Sequence, residues 1–435
     1  MEKMNGLSSK ENIKKQQRIL YPAEMSTQSF GKLQVNVTSQ STNRPVTNAV
    51  INITQTGDPN NVIEQLTTDS SGQSQTIELP APSLDYSMEP SATQPYSNYT
   101  VVAQSPDFEE VVINGTMILP DVTAVQPIRM LPRVGPGTAE EFTIGPHTLF
   151  GDYPPKIAEA EIKPVNETGE IVLSRVVVPE YVVVHDGPPR DTSAQNYYVR
   201  YRDYIANVAS CEIYATWPEA TIYANVLAIM SFTLNRVYTE WYRNQGYNFT
   251  ITTSTAYDHK FIPGKNSFEN IDLIVNNVFA NYLSRPNVKQ PILTQYCDGQ
   301  RVQCPNWMTQ WGSKYLGDQG YSAIEILRYF YGDNMYINTA EEISGVPSSW
   351  PGTNLTIGSS GDKVRQMQEQ LNRIADDYPL IPKIVADGIY GQRTADAVKV
   401  FQQIFNLAQT GVVDFSTWYK ISQIYVGVSR IAELV

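Results

Sequence analysis

The sequence predicts a multidomain α+β protein: three folded units behind a polar leader. Three observations predict it. Short alternating strands separated by Gly, Pro, Asn and Ser turns fill residues 30–131. A mostly apolar helical pattern runs from Thr221 to Tyr242. Beyond Trp350-Pro351-Gly352, amphipathic helices are grouped around turn residues. The chain has 435 residues, which suits roughly three domains of about 100–200 residues each. Its hydrophobic fraction of 41% is enough for packed cores at that size.

Taken in order, residues 1–29 are polar and Lys-rich and read as a flexible leader. They lack the apolar core of a secretory signal. Residues 30–131 carry strands at Lys32–Val37, Ala49–Thr54, Gln75–Leu79, Tyr99–Ala103 and Glu110–Ile113, with a turn at Thr68–Gly72. This is the pattern of an N-terminal antiparallel β-sandwich. Residues 132–155 are dense in proline and glycine (among them Pro132, Gly135, Gly145, Gly151 and Pro154). They are expected to form an exposed linker open to proteolysis.

Residues 156–347 are expected to form a central mixed α/β domain. Strands lie within Ile171–Val184. Helices follow between about 205 and 285, interrupted at Gly246–Gly264. A further helix at Tyr321–Tyr331 opens on the capping-box pair Ser322 and Glu325. Residues 353–430 read as a three-helix module. Val364, Met367, Leu371 and Ile374 have helical spacing, followed by Thr394–Phe405 and Trp418–Tyr425.

A net charge of -12 argues against a nucleic-acid partner, which would be met by a basic face. No 18-residue apolar run exists, so no membrane span is expected. The three cysteines (Cys211, Cys297, Cys304) do not make a disulfide scaffold. The three histidines (His147, His185, His259) are far apart, and neither HExxH nor paired CxxC spacing occurs. No metal and no cofactor are therefore expected. No histidine lies near Cys297 and Cys304, which favours a disulfide or free thiols over zinc. The 27 tyrosines, against 13 Phe and 6 Trp, suit carbohydrate stacking and ordinary sheet packing alike.

Glu212 is the candidate catalytic residue. It is the single acid between Tyr204 and Pro218, among apolar neighbours, where a carboxyl is costly unless used or paired. Burial among Ile213, Tyr214 and Trp217 would keep it protonated near neutral pH, as a general acid must be. Gln310 and Trp311 are candidate binding residues, an amide for polar groups and a ring for stacking. Trp311 in the core, with Gln310 as a turn amide, fits equally well. Cys211 reads as packing rather than as a nucleophile, since no motif histidine accompanies it.

Several stretches resemble known families. In 30–131, Pro45, Val46, Ala49 and Ile51 followed by Thr68-Asp69 and Gly72 resemble transthyretin- or carboxypeptidase-regulatory-like sandwiches. The C-terminal run Asp387-Gly388-Ile389-Tyr390-Gly391, with Thr394, Phe401 and Gln402, closely resembles three-helix peptidoglycan-binding domains. Most of these residues would serve the fold: Asp387-Gly388 as a turn, Gly391 as its cap, Thr394 as a cap of the next helix. Val208–Ala220 resembles the catalytic motif of SpoIID-type lytic transglycosylases, and Trp307–Gly332 resembles that family's second signature. Cys297-Asp298-Gly299 to Cys304 narrows the resemblance to spore cortex-lytic enzymes of the SleC type.

That resemblance implies a germination enzyme of the spore that cleaves cortex peptidoglycan containing muramic-δ-lactam. It implies a zymogen whose pro-region is the sandwich, cut within 132–152 by a Csp-type subtilisin-like protease. It also implies Glu212 as acid and then base, with Gln310, Trp311, Tyr214 and Asn235 binding substrate. An Arg frequent in the family's long helix stands here as Met230, with Asn235 or Arg236 as replacements. Two alternatives stay open. One is a muramidase or glucosaminidase using a second carboxylate from Glu219, Asp186, Asp258, Asp298 or Asp318. The other is a non-catalytic cortex-binding protein.

Overall fold

The computed structural model describes residues 29–135, 137, 139–163 and 173–429. The expected leader, up to residue 28, lies outside them. The first unit contains β1 (Ser29–Ser39), β2 (Val50–Gln55), β3 (Val62–Thr67), β4 (Ile77–Ala81), a short helix α1 (Asp85–Met88), β5 (Ser97–Gln104), β6 (Val111–Ile118), β7 (Thr123–Met130) and β8 (Glu140–Thr143). Period-two alternation decides which face is buried. Leu33, Val35 and Val37 of β1 are fully buried, whereas Lys32 faces solvent. Ile51 and Ile53 of β2 and Val101 and Ala103 of β5 are buried in the same core cluster. Each such Val, Leu or Ile contributes about 1.5–3 kcal/mol on burial.

One sheet has the order β3-β2-β5-β6-β8; the other is β4-β1-β7 with Ser267–Phe268 of the central unit added at its edge. The expected antiparallel pairing holds at β1–β4, β2–β3, β2–β5 and β5–β6. β1–β7 and β6–β8 are instead parallel. Parallel neighbours need long crossovers, and β1 and β7 are joined through the whole intervening unit.

Most described residues of segment 132–155 are exposed, as expected of a linker, but part of it is ordered against the fold. β8 lies within it and pairs with β6 at the sheet edge, the place where a strand tolerates nearby prolines. Ile144 and Leu149 are buried. Both are apolar and find cores to enter, so the chain is tacked down between its prolines and glycines.

The central unit holds α2 (Tyr201–Glu212), α3 (Glu219–Tyr238), α4 (Glu269–Val278), α5 (Gln310–Asp318) and α6 (Ala323–Tyr331). α3 is apolar on nearly every side, as a buried central helix must be. Ala224, Leu227, Ala228 and Phe232 are fully enclosed, and the other four helices pack on it. Pro218 stands at its start, where a missing N–H leaves no bond unmade. The Ser322/Glu325 capping box opens α6 as expected.

The last unit is α7 (Asp362–Asp377), α8 (Gln392–Ile404) and α9 (Phe415–Ser429), with Val364, Met367, Leu371 and Ile374 in its core. Thr394 does not cap α8. It lies inside the helix, and its hydroxyl accepts the Gln368 amide at 3.2 Å. The three units touch one another. Asn266 donates to Met117 O at 3.1 Å, Trp217 Nε1 to Ser87 O at 2.8 Å, and Gln73 to Ile404 O at 3.0 Å. Arg44 pairs with Asp377 at 3.0 Å.

Candidate active site

α2 is amphipathic only weakly and ends on Glu212, after which Ile213 is extended and the chain turns into α3. Glu212 is 2% exposed. One carboxyl oxygen accepts the Lys260 N–H at 2.8 Å and the other the Gln310 amide at 3.0 Å. That amide also donates to the Glu212 carbonyl at 2.6 Å. Gln310 is the first residue of α5, whose start is capped by Thr309 accepting from Gly312 N at 3.2 Å. A Cβ at Gly312 would lie 2.2 Å from that hydroxyl, so this cap requires glycine at 312.

Burial pushes the Glu212 carboxyl above its usual range. Its place at a helix C-terminus, the negative end of the dipole, works in the same direction. Lys156, the two amide contacts and the neighbouring Tyr296 oppose the shift without cancelling it. Lys156 is itself pushed down by burial, though Glu212 and Asp258 pull the other way. Its ammonium donates to the carbonyls of Thr255 and Asp258.

Glu212 faces a cavity of about 20 Å³, shared with Tyr153, Lys156, Tyr296, Asp298 and Gln310. Tyr153, Pro154 and Lys156 form one wall of it, and residues 147–153 are bonded to the side chains around it. Leu149 N–H donates to Tyr214 Oη at 3.0 Å, and Trp311 Nε1 donates to Leu149 O at 2.6 Å. Gly151 N–H donates to Asp298 Oδ2 at 2.6 Å, and Tyr153 Oη to Cys211 O at 2.9 Å. Tyr214, Trp217 and Trp311 form an aromatic corner, with Trp217 and Trp311 centroids 5.0 Å apart. The two aromatic candidates for substrate binding are thus both bonded to this strap.

The other sequence-selected residues divide clearly. Asn235 does not reach the cavity. It is fully buried, and its amide donates to Pro291 O at 2.7 Å. Arg236 is bonded to Asp258 (2.8 Å) and Glu159 (2.6 Å), so Asp258 is committed to that pair. Asp318 pairs with Lys314 at 2.6 Å, and Asp186 accepts from Thr253. Of the proposed second carboxylates, Asp298 lines the Glu212 cavity. Cys297 and Cys304 form a disulfide, closing the loop that carries Asp298. Burial pushes the Cys211 thiol up to about 12, which disfavours a thiolate there. No cluster of His, Cys, Asp or Glu among the described residues is arranged to hold a metal ion.

Lys156 and Tyr296 were not singled out in the sequence. Tyr296 is 2% exposed, stacks on His259 (centroids 5.8 Å apart) and leaves its hydroxyl without a well-formed partner. Its position next to Cys297 was the one available signal.

Residues 360–421 match the family of peptidoglycan binding domains. A 76-residue stretch is 38% identical to the zinc D-Ala-D-Ala carboxypeptidase of Streptomyces albus G, covering 18% of this chain and 28% of that protein. The chain therefore spans little more than a quarter of that relative. Among solved structures, the Bacillus anthracis TIE protein is 17% identical, with 24% of this chain and 17% of that one covered and a TM-score of 0.18. The minor pilin GBS52 of Streptococcus agalactiae is 15% identical, with 26% and 48% covered and a TM-score of 0.17. Likenesses this slight carry no argument. The C-terminal helical unit is thus the part of the chain that matches a peptidoglycan-binding domain. Among the described residues, no helix is long and apolar enough to cross a membrane.

Proposed function

We propose that the chain is a peptidoglycan-cleaving enzyme: a spore cortex-lytic enzyme of the SpoIID type, acting as a lytic transglycosylase. The observation that carries this reading is Glu212, a buried carboxyl held by two amides at a cavity, with its proton retained by burial. A peptidoglycan-binding domain on the same chain supplies the polymer. The step balances with one acid. Glu212 gives its proton to the glycosidic oxygen as the bond to the muramyl C1 breaks. The C6 hydroxyl of the same sugar then attacks C1, and Glu212 takes up the hydroxyl proton. The product is a 1,6-anhydro end, no water is consumed, and the acid is regenerated.

The enzyme is made as a zymogen, with cortex peptidoglycan bearing muramic-δ-lactam as substrate and a Csp-type subtilisin-like protease as activator in the spore. The strap at residues 147–153 supports this, since it occupies Tyr214, Trp311 and Asp298 at once. The test compares the full chain with a form starting near residue 150 on isolated cortex. Equal rates would sink the zymogen reading.

A second reading, a muramidase or glucosaminidase, is favoured by one observation: Asp298 shares the cavity with Glu212. Such a hydrolase adds water at C1 and leaves reducing ends. If the chain is instead a non-catalytic cortex-binding protein, Glu212→Gln leaves cortex lysis unchanged.

A further inference from the structure

Three polar side-chain atoms in and beside the cavity stand unpartnered although buried: Tyr296 Oη, Gln310 Oε1 and His259 Nε2. Buried polar groups left in this state are rare and call for a reason. His259 is accounted for by packing. Its Nδ1 meets Tyr204 Oη at 3.1 Å, its ring lies between Phe232 and Tyr296, and burial holds the ring neutral. Gln310 already spends its N–H groups on Glu212. Tyr296 differs. Its ring is fixed by the His259 stack and by the strand pairing of Tyr296–Cys297 with Met308–Thr309. Its hydroxyl makes no well-formed hydrogen bond but lies on the wall of the cavity that Glu212 faces, within reach of that carboxyl.

We propose that Tyr296 is a positioning residue for Glu212, its hydroxyl being the group that turns to the carboxyl and steadies the anion formed when the proton leaves. The proposal rests on the reading of Glu212 as the working acid. The phenol suits this task because it is a neutral donor. Burial, with Glu212 nearby, holds it well above the ordinary tyrosine range, so it does not ionise in competition. The remaining ionisable groups about Glu212 are Tyr153 from the strap, Lys156 just beyond it, Tyr204 and Cys211 from α2, and Asp298 two residues after Tyr296. Lys156 also stabilises the anion. It belongs to the segment continuous with the strap, whereas Tyr296 is fixed in the central unit.

The sign is definite. A donor to the carboxylate lowers the pKa of Glu212, so its removal raises it. In the full-length chain, Tyr296→Phe keeps the ring and its stack and removes only the hydroxyl. Infrared titration of the Glu212 carboxyl, identified by difference from Glu212→Gln, is expected to shift up by about one pH unit in Tyr296→Phe. A 3,5-difluorotyrosine placed at position 296 is a stronger donor and is expected to shift it down; this second variant keeps the question open to test if Tyr296→Phe folds poorly. An unmoved carboxyl titration in both variants overturns the proposal. This readout needs no turnover, so it stands or falls separately from the lytic reading. In the active form, the basic limb of the pH–rate profile moves up by the same amount in Tyr296→Phe. A lower rate with an unmoved limb would mean that Tyr296 is only structural.

Discussion

The C-terminal module and the Glu212 cavity both bury polar side chains, and they treat them in opposite ways. In the module the two buried glutamine amides, Gln368 and Gln402, are fully used, although Ser422 Oγ on α9 has no partner. Gln402 accepts Gly411 N–H at 2.8 Å and donates to Val412 O at 2.9 Å and Thr417 Oγ1 at 3.1 Å. Gln368 repeats the device one helix earlier, accepting Gly388 N–H at 2.9 Å and donating to Ile389 O at 3.0 Å. In each case a buried amide on a helix locks a glycine turn. Gly388 and Gly411 both have positive φ, 79° and 68°, so the turn needs glycine and the glutamine holds it. Around Glu212, in contrast, Tyr296, Gln310 and His259 keep unpartnered atoms, and a carboxyl and an ammonium are both pushed toward neutrality. Full satisfaction marks residues that specify a fold. Incomplete satisfaction beside a cavity is the pattern expected of residues kept for chemistry, as proposed for Glu212.

The comparison can be broken most sharply at Glu212. Glu212→Gln should lower cortex cleavage by about 10²–10⁴-fold, measured as release of soluble fragments. It should also change how stability depends on pH. The native carboxyl holds its proton to a higher pH than the unfolded chain does, so stability falls as pH rises from the ordinary Glu value through the raised one. Glu212→Gln should remove that slope, which denaturant titration across the window would reveal.

Gln402→Leu should act on stability alone. It leaves the Gly411 N–H and Val412 C=O unpaired, at about 1–3 kcal/mol for each group. Thermal unfolding of the module reports it, and the Glu212 titration should not move. Trp311→Phe removes the indole N–H that holds Leu149 O. It should loosen the strap by about 1–3 kcal/mol, seen as faster proteolysis within 147–153. The smallest effect is expected from Lys156→Met. Loss of the cation should raise the pKa of Glu212 and move the basic limb of activity upward by less than about one unit.

Much of this was legible in the chain. The alternation of Leu33, Val35 and Val37 set the buried face of β1, and the all-round apolarity of 221–238 set α3 at the centre. Glu212 stood out because an isolated acid in an apolar run is expensive. The parts that were not legible depend on distant partners. Nothing local to Ser267–Phe268 says that it will pair with β7. The glycines and prolines of 132–155 read as a linker, because composition does not report that Leu149 will be bonded on both sides by Tyr214 and Trp311. Thr394 had the right residue type for a cap, but its hydroxyl met Gln368 first. Asn235 sat one helical face away from where it was expected, serving Pro291 O. Tyr296 was one tyrosine among 27 until its neighbours were in place.

The central claim, that Glu212 alone carries the proton in both directions, is tested most directly by mass spectrometry of fragments released from cortex by the activated form of the chain and of Glu212→Gln. The account predicts 1,6-anhydromuramic ends from the native sequence and none from the variant. Reducing ends, or undiminished lysis by Glu212→Gln, would contradict it.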